Sequence, residues 1–201
     1  MFAVFALIIL AGLSLSAIMT GAYYAQRLSG KSGWVDAIWS FGTGAVGAAL
    51  ALAPLAGQTS PTGRQTMTAA LALIWSLRLG GHILSRTLKA GEDPRYLALR
   101  EQWGADFPGA FFRFLQIQAV AALILTLSIF LAARNPSPFP GLGDALGAAI
   151  LLVAVAGEAI ADAQLQRFRD DPRRAGGVCD RGLWGFSRHP NYFFEWLGWL
   201  A

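Results

Sequence analysis

One cysteine, Cys179, and two histidines, His82 and His189, are all the thiol and imidazole that 201 residues contain. A single thiol excludes a disulfide framework. Two imidazoles without further thiols leave no usual ligand set for a transition metal, so no metal centre is expected. Charge is also scarce, with 14% of residues Asp, Glu, Lys or Arg, against about 25% in average soluble proteins. What is present is apolar: 55% hydrophobic residues, 13 phenylalanines and 7 tryptophans, with 23 glycines among them. Disorder, collagen and coiled coil are thereby excluded, and a multi-span membrane protein is the expected class. The net charge of +4 suggests nucleic acid only until its placement along the chain is followed.

A helix needs about 20 apolar residues to cross a hydrocarbon layer of about 30 Å. Five stretches reach or approach that length, at about 2–24, 35–56, 66–84, 111–133 and 142–163. No cation precedes the first, and it is longer than a signal-peptide core, so it reads as a retained span with nothing cleaved. A sixth apolar stretch starts at Pro190 and stops after 12 residues at Ala201, enough for roughly 18 Å of helix and too short to cross. The expected architecture is an all-α polytopic transmembrane bundle, one integral membrane domain over 1–201 with five full spans and a truncated sixth.

Lys and Arg accumulate in cytoplasmic loops. Arg27 and Lys31 follow the first span. Arg86, Lys89, Arg95, Arg100 and Arg113 surround the loop after the third, and Arg167, Arg169, Arg173, Arg174, Arg181 and Arg188 follow the fifth. The loops after the second and fourth spans hold only Arg64 and Arg134. The amino terminus is therefore expected outside and the odd-numbered loops in the cytoplasm. The positive balance reports topology and contact with membrane lipid, and no nucleic-acid partner is expected. The two long inner loops mix both signs of charge with aromatics, so chemistry is expected to face the cytoplasm.

An ionisable residue inside a span costs roughly 2.5 to 3.5 kcal/mol at the helix centre and calls for a partner or a task. Glu158, Asp162, Gln166 and Arg169 are spaced four, four and three, along one face of the fifth helix. This polar stripe descends from the bilayer towards the cytoplasm. It either binds a ligand or pairs between helices, for instance Asp162 with Arg78. Arg78 and His82 share a face of the third helix, where Gly80 and Gly81 allow close packing or a cavity. Asp36, just inside the second span, suits the positive end of a helix dipole.

In GLWGFSRHPNYFFEWLGW, Pro190 fits a first helical turn. Arg188 and His189 stand before it, a cationic helix start suited to phosphate. Asn191 and Glu195 share one face of that helix and could bond to a ribose or an amide. The plainer reading is a capped helix with an interfacial belt of Trp184, Tyr192, Phe193 and Trp196.

Three segments, SGWVDAIWSFG, RLGGHILSRTLKAGEDPRYLALREQWG and ADAQLQRFRDDP with GGVCDRGLWGFSRHPNYFFEW, resemble the steroid 5-alpha-reductase superfamily, and its bacterial membrane branch more closely. The resemblance extends from about 32 to 201. It implies an NADPH-dependent membrane oxidoreductase, in a bacterial inner membrane, that passes hydride to a carbon–carbon double bond conjugated to a carbonyl. Its substrate would be an apolar, steroid- or lipid-like molecule. Asp162 and Arg169 match the acid and base flanking the nucleotide, and Asn191 and Glu195 match the polar pair of the following helix. Glu158 falls where the steroid enzymes have asparagine. In this scheme Arg169, Arg188 and His189 hold phosphates. The second and third spans contain no tyrosine to match the family's proton donor, leaving Asp36 and His82 as positional candidates. Relatives continue beyond the helix that opens at Asn191, so the resemblance also implies that this chain lacks C-terminal helices and is a poor or inactive enzyme.

Two other classes fit parts of the pattern. Membrane methyltransferases acting on isoprenylated cysteine or phospholipid share an Arg-His-Pro-x-Tyr stretch and would place S-adenosylmethionine in the same pocket. A non-catalytic helical protein would use the polar stripe only to join helices or bind lipid.

Overall fold

The computed structural model describes residues 2–55, 57–89, 92–174 and 176–201, and all regular structure among them is helical. In chain order the helices are α1 (Phe2–Ser29), α2 (Gly33–Leu52), α3 (Gly63–Lys89), α4 (Pro94–Trp103), α5 (Phe107–Ala133), α6 (Leu142–Arg169) and α7 (Pro190–Gly198). Short 3-10 turns occupy Gly104–Asp106, Pro172–Arg174 and Gly182–Gly185. Five helical stretches are long and apolar enough to cross a membrane: α1, α2, α3, α4 continuing into α5, and α6. The all-α polytopic class expected from the sequence is the one observed. Helices outrun the apolar stretches, α6 ending at Arg169 and α3 at Lys89, because the last turn of a helix tolerates polar and basic side chains. The loop after α3 contains a helix of its own, α4, opened by Asp93 as N-cap and Pro94 in the first turn.

The chain divides into two compact units, Met1–Pro136 and Ser137–Ala201. In the first, α2 packs against α1, α3 and α5. Its small residues explain this position. A Cβ on Gly42 would lie 2.8 Å from the Ile18 side chain of α1, one on Gly44 2.1 Å from Ser76 of α3, and one on Gly47 2.6 Å from Ile129 of α5. In lipid no hydrophobic drive brings helices together, and close backbone approach through small residues supplies the contact instead. Polar bonds add to it: Ser76 Oγ donates to Ser40 O at 2.9 Å, and Ser16 Oγ donates from α1 to Gln116 Oε1 of α5 at 2.7 Å. Leu15, Met19, Phe111 and Leu115 are fully buried at the α1–α5 contact.

Arg64, in the first turn of α3, and Arg134, at the C-cap of α5, have structural partners. The Arg134 guanidinium donates to Leu50 O at 3.4 Å, to Ala53 O and to Gln58 Oε1 at 3.1 Å. Arg64, 5% exposed, donates to Asn135 O. The acceptors lie at the C-terminal ends of α2 and α5, where a helix leaves its last carbonyls unbonded.

In the second unit, α7 runs antiparallel to α6. A Cβ on Gly157 would lie 2.4 Å from the Phe194 ring, and one on Gly198 3.4 Å from Ala154. The segment between the two helices is stitched to α6: Gln164 Oε1 accepts from Leu183 N at 2.9 Å, and Trp184 Nε1 donates to Ala161 O at 2.8 Å. Gly182 makes this turn at φ +58°, and a Cβ there would lie 2.6 Å from the Gln164 amide.

Candidate functional site

In the first unit the ends of α2, α3 and α4 meet in a polar cluster. Asp93 caps α4, accepting from Arg95 N at 3.0 Å, and its side chain also pairs with Arg95 and Arg86 at 3.0 and 3.3 Å. Burial alone would raise the Asp93 carboxyl, but the hydrogen bonds from Arg95 and the charges of Arg95 and Arg86 outweigh it and leave the group below the ordinary carboxylate range. Arg95 reaches further, to Asp36 Oδ2 at 2.8 Å. The other Asp36 oxygen accepts from the Tyr96 hydroxyl at 2.6 Å. Beside them Glu92 accepts from Ser32 N at 2.9 Å, and Lys31 Nζ donates to Thr87 O at 3.1 Å. The turn between α1 and α2 is thus fastened to the last turn of α3 and to the segment that follows it.

Asp36 does lie in the first turn of α2, as its dipole reading requires, but it is also the acceptor of a phenol and a guanidinium. Tyr96 is the residue that sequence reasoning missed. The second and third spans contain no tyrosine, whereas Tyr96 sits on the short α4, 7% exposed, with its ring edge-on to Phe111 at 5.8 Å. The available signal was the run Asp93-Pro94-Arg95-Tyr96, a helix start that sends adjacent polar groups to one end of the bundle. His82 is partly buried on α3. Of the two glycines beside it, a Cβ on Gly80 would meet the Phe41 ring at 2.7 Å, while one on Gly81 would meet nothing within 4 Å. Gly80 serves packing and Gly81 borders open space.

The residues expected from the sequence to hold a nucleotide lie in the second unit. On α6, Glu158 is buried, Asp162 is partly buried, and Gln166 and Arg169 are exposed. The stripe therefore passes from interior to surface within four turns. On α7, Pro190 occupies the first turn and is buried. The Phe194–Gly157 contact sets the register and puts Asn191 level with the stretch of α6 between Glu158 and Asp162. Asn191 Oδ1 is buried and has no hydrogen-bond partner. Glu195 accepts from Trp199 Nε1, one turn further along the same helix, at 2.9 Å. Arg188 and His189 are exposed, and the His189 ring stacks on Tyr192 at 5.4 Å.

A nicotinamide dinucleotide presents ribose hydroxyls and a carboxamide as donors, and phosphates as acceptors. Glu158, Asp162 and Asn191 offer acceptors, Arg169 and Arg188 offer guanidinium donors and His189 an imidazole N–H, so the side-chain chemistry fits such a group. The orphaned Asn191 oxygen is the specific mark. A buried acceptor left unbonded costs about 1 to 3 kcal/mol, and a ligand N–H or O–H would remove that cost.

A family described as a protein of unknown function, DUF1295, matches residues 22–201. No curated protein matches the chain, and no solved structure does. The matched region takes in both polar clusters, from the last turns of α1 through α7, and the chain belongs to the DUF1295 family.

Proposed function

We propose that this membrane protein is an NADPH-dependent reductase of a carbon–carbon double bond conjugated to a carbonyl, acting on an apolar, steroid- or lipid-like substrate. The unbonded Asn191 Oδ1, level with Glu158 and Asp162 on the facing helix, carries the reading. It is a buried acceptor in want of a donor, in a segment that also resembles the steroid 5-alpha-reductase superfamily. When bound, the nicotinamide supplies hydride. Asp162 and Asn191 hold sugar or amide, with Glu158 beside them and Glu195 orienting the nicotinamide end, and Arg169, Arg188 and His189 hold phosphates.

Reduction of a double bond conjugated to a carbonyl also requires a proton, to quench the enolate left by hydride addition, and relief of the enolate charge as it develops. Tyr96 takes that duty in this proposal, with Asp36 positioning its hydroxyl. A phenol held at 2.6 Å by a carboxylate is a better match to the family's tyrosine and acid than Asp36 or His82 alone. The basic loops after α1, α3 and α6 support a bacterial inner-membrane orientation with those loops in the cytoplasm.

Parallel binding isotherms of NADPH and S-adenosylmethionine on the detergent-solubilised protein test the reading. Saturable NADPH binding with no methyl-donor binding is expected. Exclusive binding of S-adenosylmethionine would replace the reductase with a methyltransferase, and binding of neither would leave a helical protein without this cofactor chemistry.

A further inference from the structure

Residues 179–182 lie back against the end of α6 and border an open cleft of about 290 Å³, whose lining includes Gln164, Arg167, Asp171, Arg174, Cys179 and Arg181. None of the residues assigned above to a nucleotide lines it. Its size lies at the lower edge of the roughly 300 to 1,000 Å³ typical of small-molecule pockets, enough for a headgroup and too small for a whole dinucleotide.

The walls are built in place. Gln164 bonds the Leu183 amide at 2.9 Å, which fixes the Gly182 turn against α6. Arg174 is held by Asp171 at 3.1 Å and by the face of the Phe168 ring, 5.5 Å from its centroid. Arg173, outside the cleft, takes the other Asp171 oxygen at 3.1 Å. The guanidinium hydrogen bond from Arg173 is the main reason the half-buried Asp171 carboxyl sits below its ordinary range, with Arg174 and Arg181 adding to it. Arg167 and Arg181 themselves form no ion pair among the described residues.

Three arginines and one aspartate therefore line the cleft. The C-terminal end of α6 adds about half a negative charge from its dipole, which does not cancel the excess. Dipole compensation would account for Arg167, one turn from the helix end. It does not account for Arg174 and Arg181, which the folded loop brings back to the same place. Arginines brought to one cleft from three chain segments, each with a planar guanidinium group, suit a tetrahedral oxyanion.

We propose that this cleft binds a phosphate ester or diphosphate group, presented either by a soluble phosphate or by the headgroup of an anionic lipid. The site does not depend on the reductase reading.

Cys179, the only cysteine in the chain, lines the cleft, so its rate of maleimide alkylation reports occupancy. One arm adds inorganic pyrophosphate to the protein in neutral detergent. The other adds phosphatidic acid to phosphatidylcholine mixed micelles. Slowing by pyrophosphate identifies a soluble phosphate and slowing by phosphatidic acid alone identifies a lipid headgroup; either upholds the site. Arg167→Gln and Arg181→Gln should each weaken that protection about fivefold or more, while Lys89→Gln, an equal charge change on exposed α3, leaves it within about twofold. Loss of one unpaired arginine should not unfold the protein, and an unchanged alkylation rate without ligand checks this. The proposal is overturned by an absence of protection in both arms, by equal protection from sodium chloride at matched ionic strength, or by equal loss in Lys89→Gln. NADPH is in neither arm, so failure here is separate from failure of the redox reading.

Discussion

The Tyr96 hydroxyl donates to Asp36 Oδ1 across 2.6 Å, joining α4 to the first turn of α2 over 60 residues of sequence. The same carboxylate accepts from Arg95 at 2.8 Å, so it keeps a partner when the phenol is removed. This makes the two duties of the pair separable.

Tyr96→Phe deletes the donor and retains the ring against Phe111. If Tyr96 supplies the proton, kcat should fall about 10² to 10⁴-fold, with the NADPH dissociation constant unchanged. Single-turnover reduction alongside a binding isotherm checks this. A thermal shift with full activity retained would reduce the pair to a fastening between helices.

Asp93 joins a helix cap to two guanidinium groups, and its carboxyl is held below the ordinary range. The stability it supplies is complete above the unfolded value near pH 4 and fades as pH falls through the lowered folded value. Asp93→Asn should flatten the acid limb of thermal stability below about pH 4. Asp93→Ala should cost about 1 kcal/mol through the lost cap. Parallel acid limbs for wild type and Asp93→Asn would count against this linkage.

Small residues of the first unit are expected to differ sharply in tolerance. Gly44→Ala places a methyl group into Ser76 of the neighbouring helix and should destabilise by about 1 to 3 kcal/mol. Gly81→Ala meets nothing within 4 Å and should be neutral or gain up to about 1 kcal/mol of helix propensity. Detergent-denaturation midpoints of the two variants distinguish packing from open space.

Arg134→Ala leaves the Leu50 and Ala53 carbonyls and Gln58 without their shared donor. Hydrogen bonds to charged groups contribute about 1.5 to 3 kcal/mol, so a marked loss of stability is expected. Unchanged NADPH affinity should accompany it, because Arg134 belongs to neither polar cluster. Equal stability of variant and wild type would remove its capping role.

The spans were legible because twenty apolar residues in a row are a one-dimensional signal, and the spacing of Glu158, Asp162 and Gln166 fixes one helix face in the same way. Pro190 marked the start of α7 for a similarly local reason, its missing amide proton. Tyr96 and the arginine cleft were not legible. Each depends on a loop turning back, α4 towards Asp36 in one case and residues 179–182 towards Gln164 in the other, and no periodicity records such a return. Arg64 and Arg134 show the same limit: charge counting noted them as sparse outer cations, while only the fold shows the carbonyls they cap. Glu195 also gained a partner that spacing alone left unassigned, since Trp199 lies one turn along its own helix.

The most direct measurement is NADPH titration of the wild-type protein and its Asn191→Leu variant, followed by quenching of tryptophan fluorescence. Saturable binding to the wild type, weakened about tenfold in the variant with its thermal midpoint preserved or raised, is the expected result. Equal affinity in the two proteins, or no saturable binding to either, would contradict a dinucleotide site between α6 and α7.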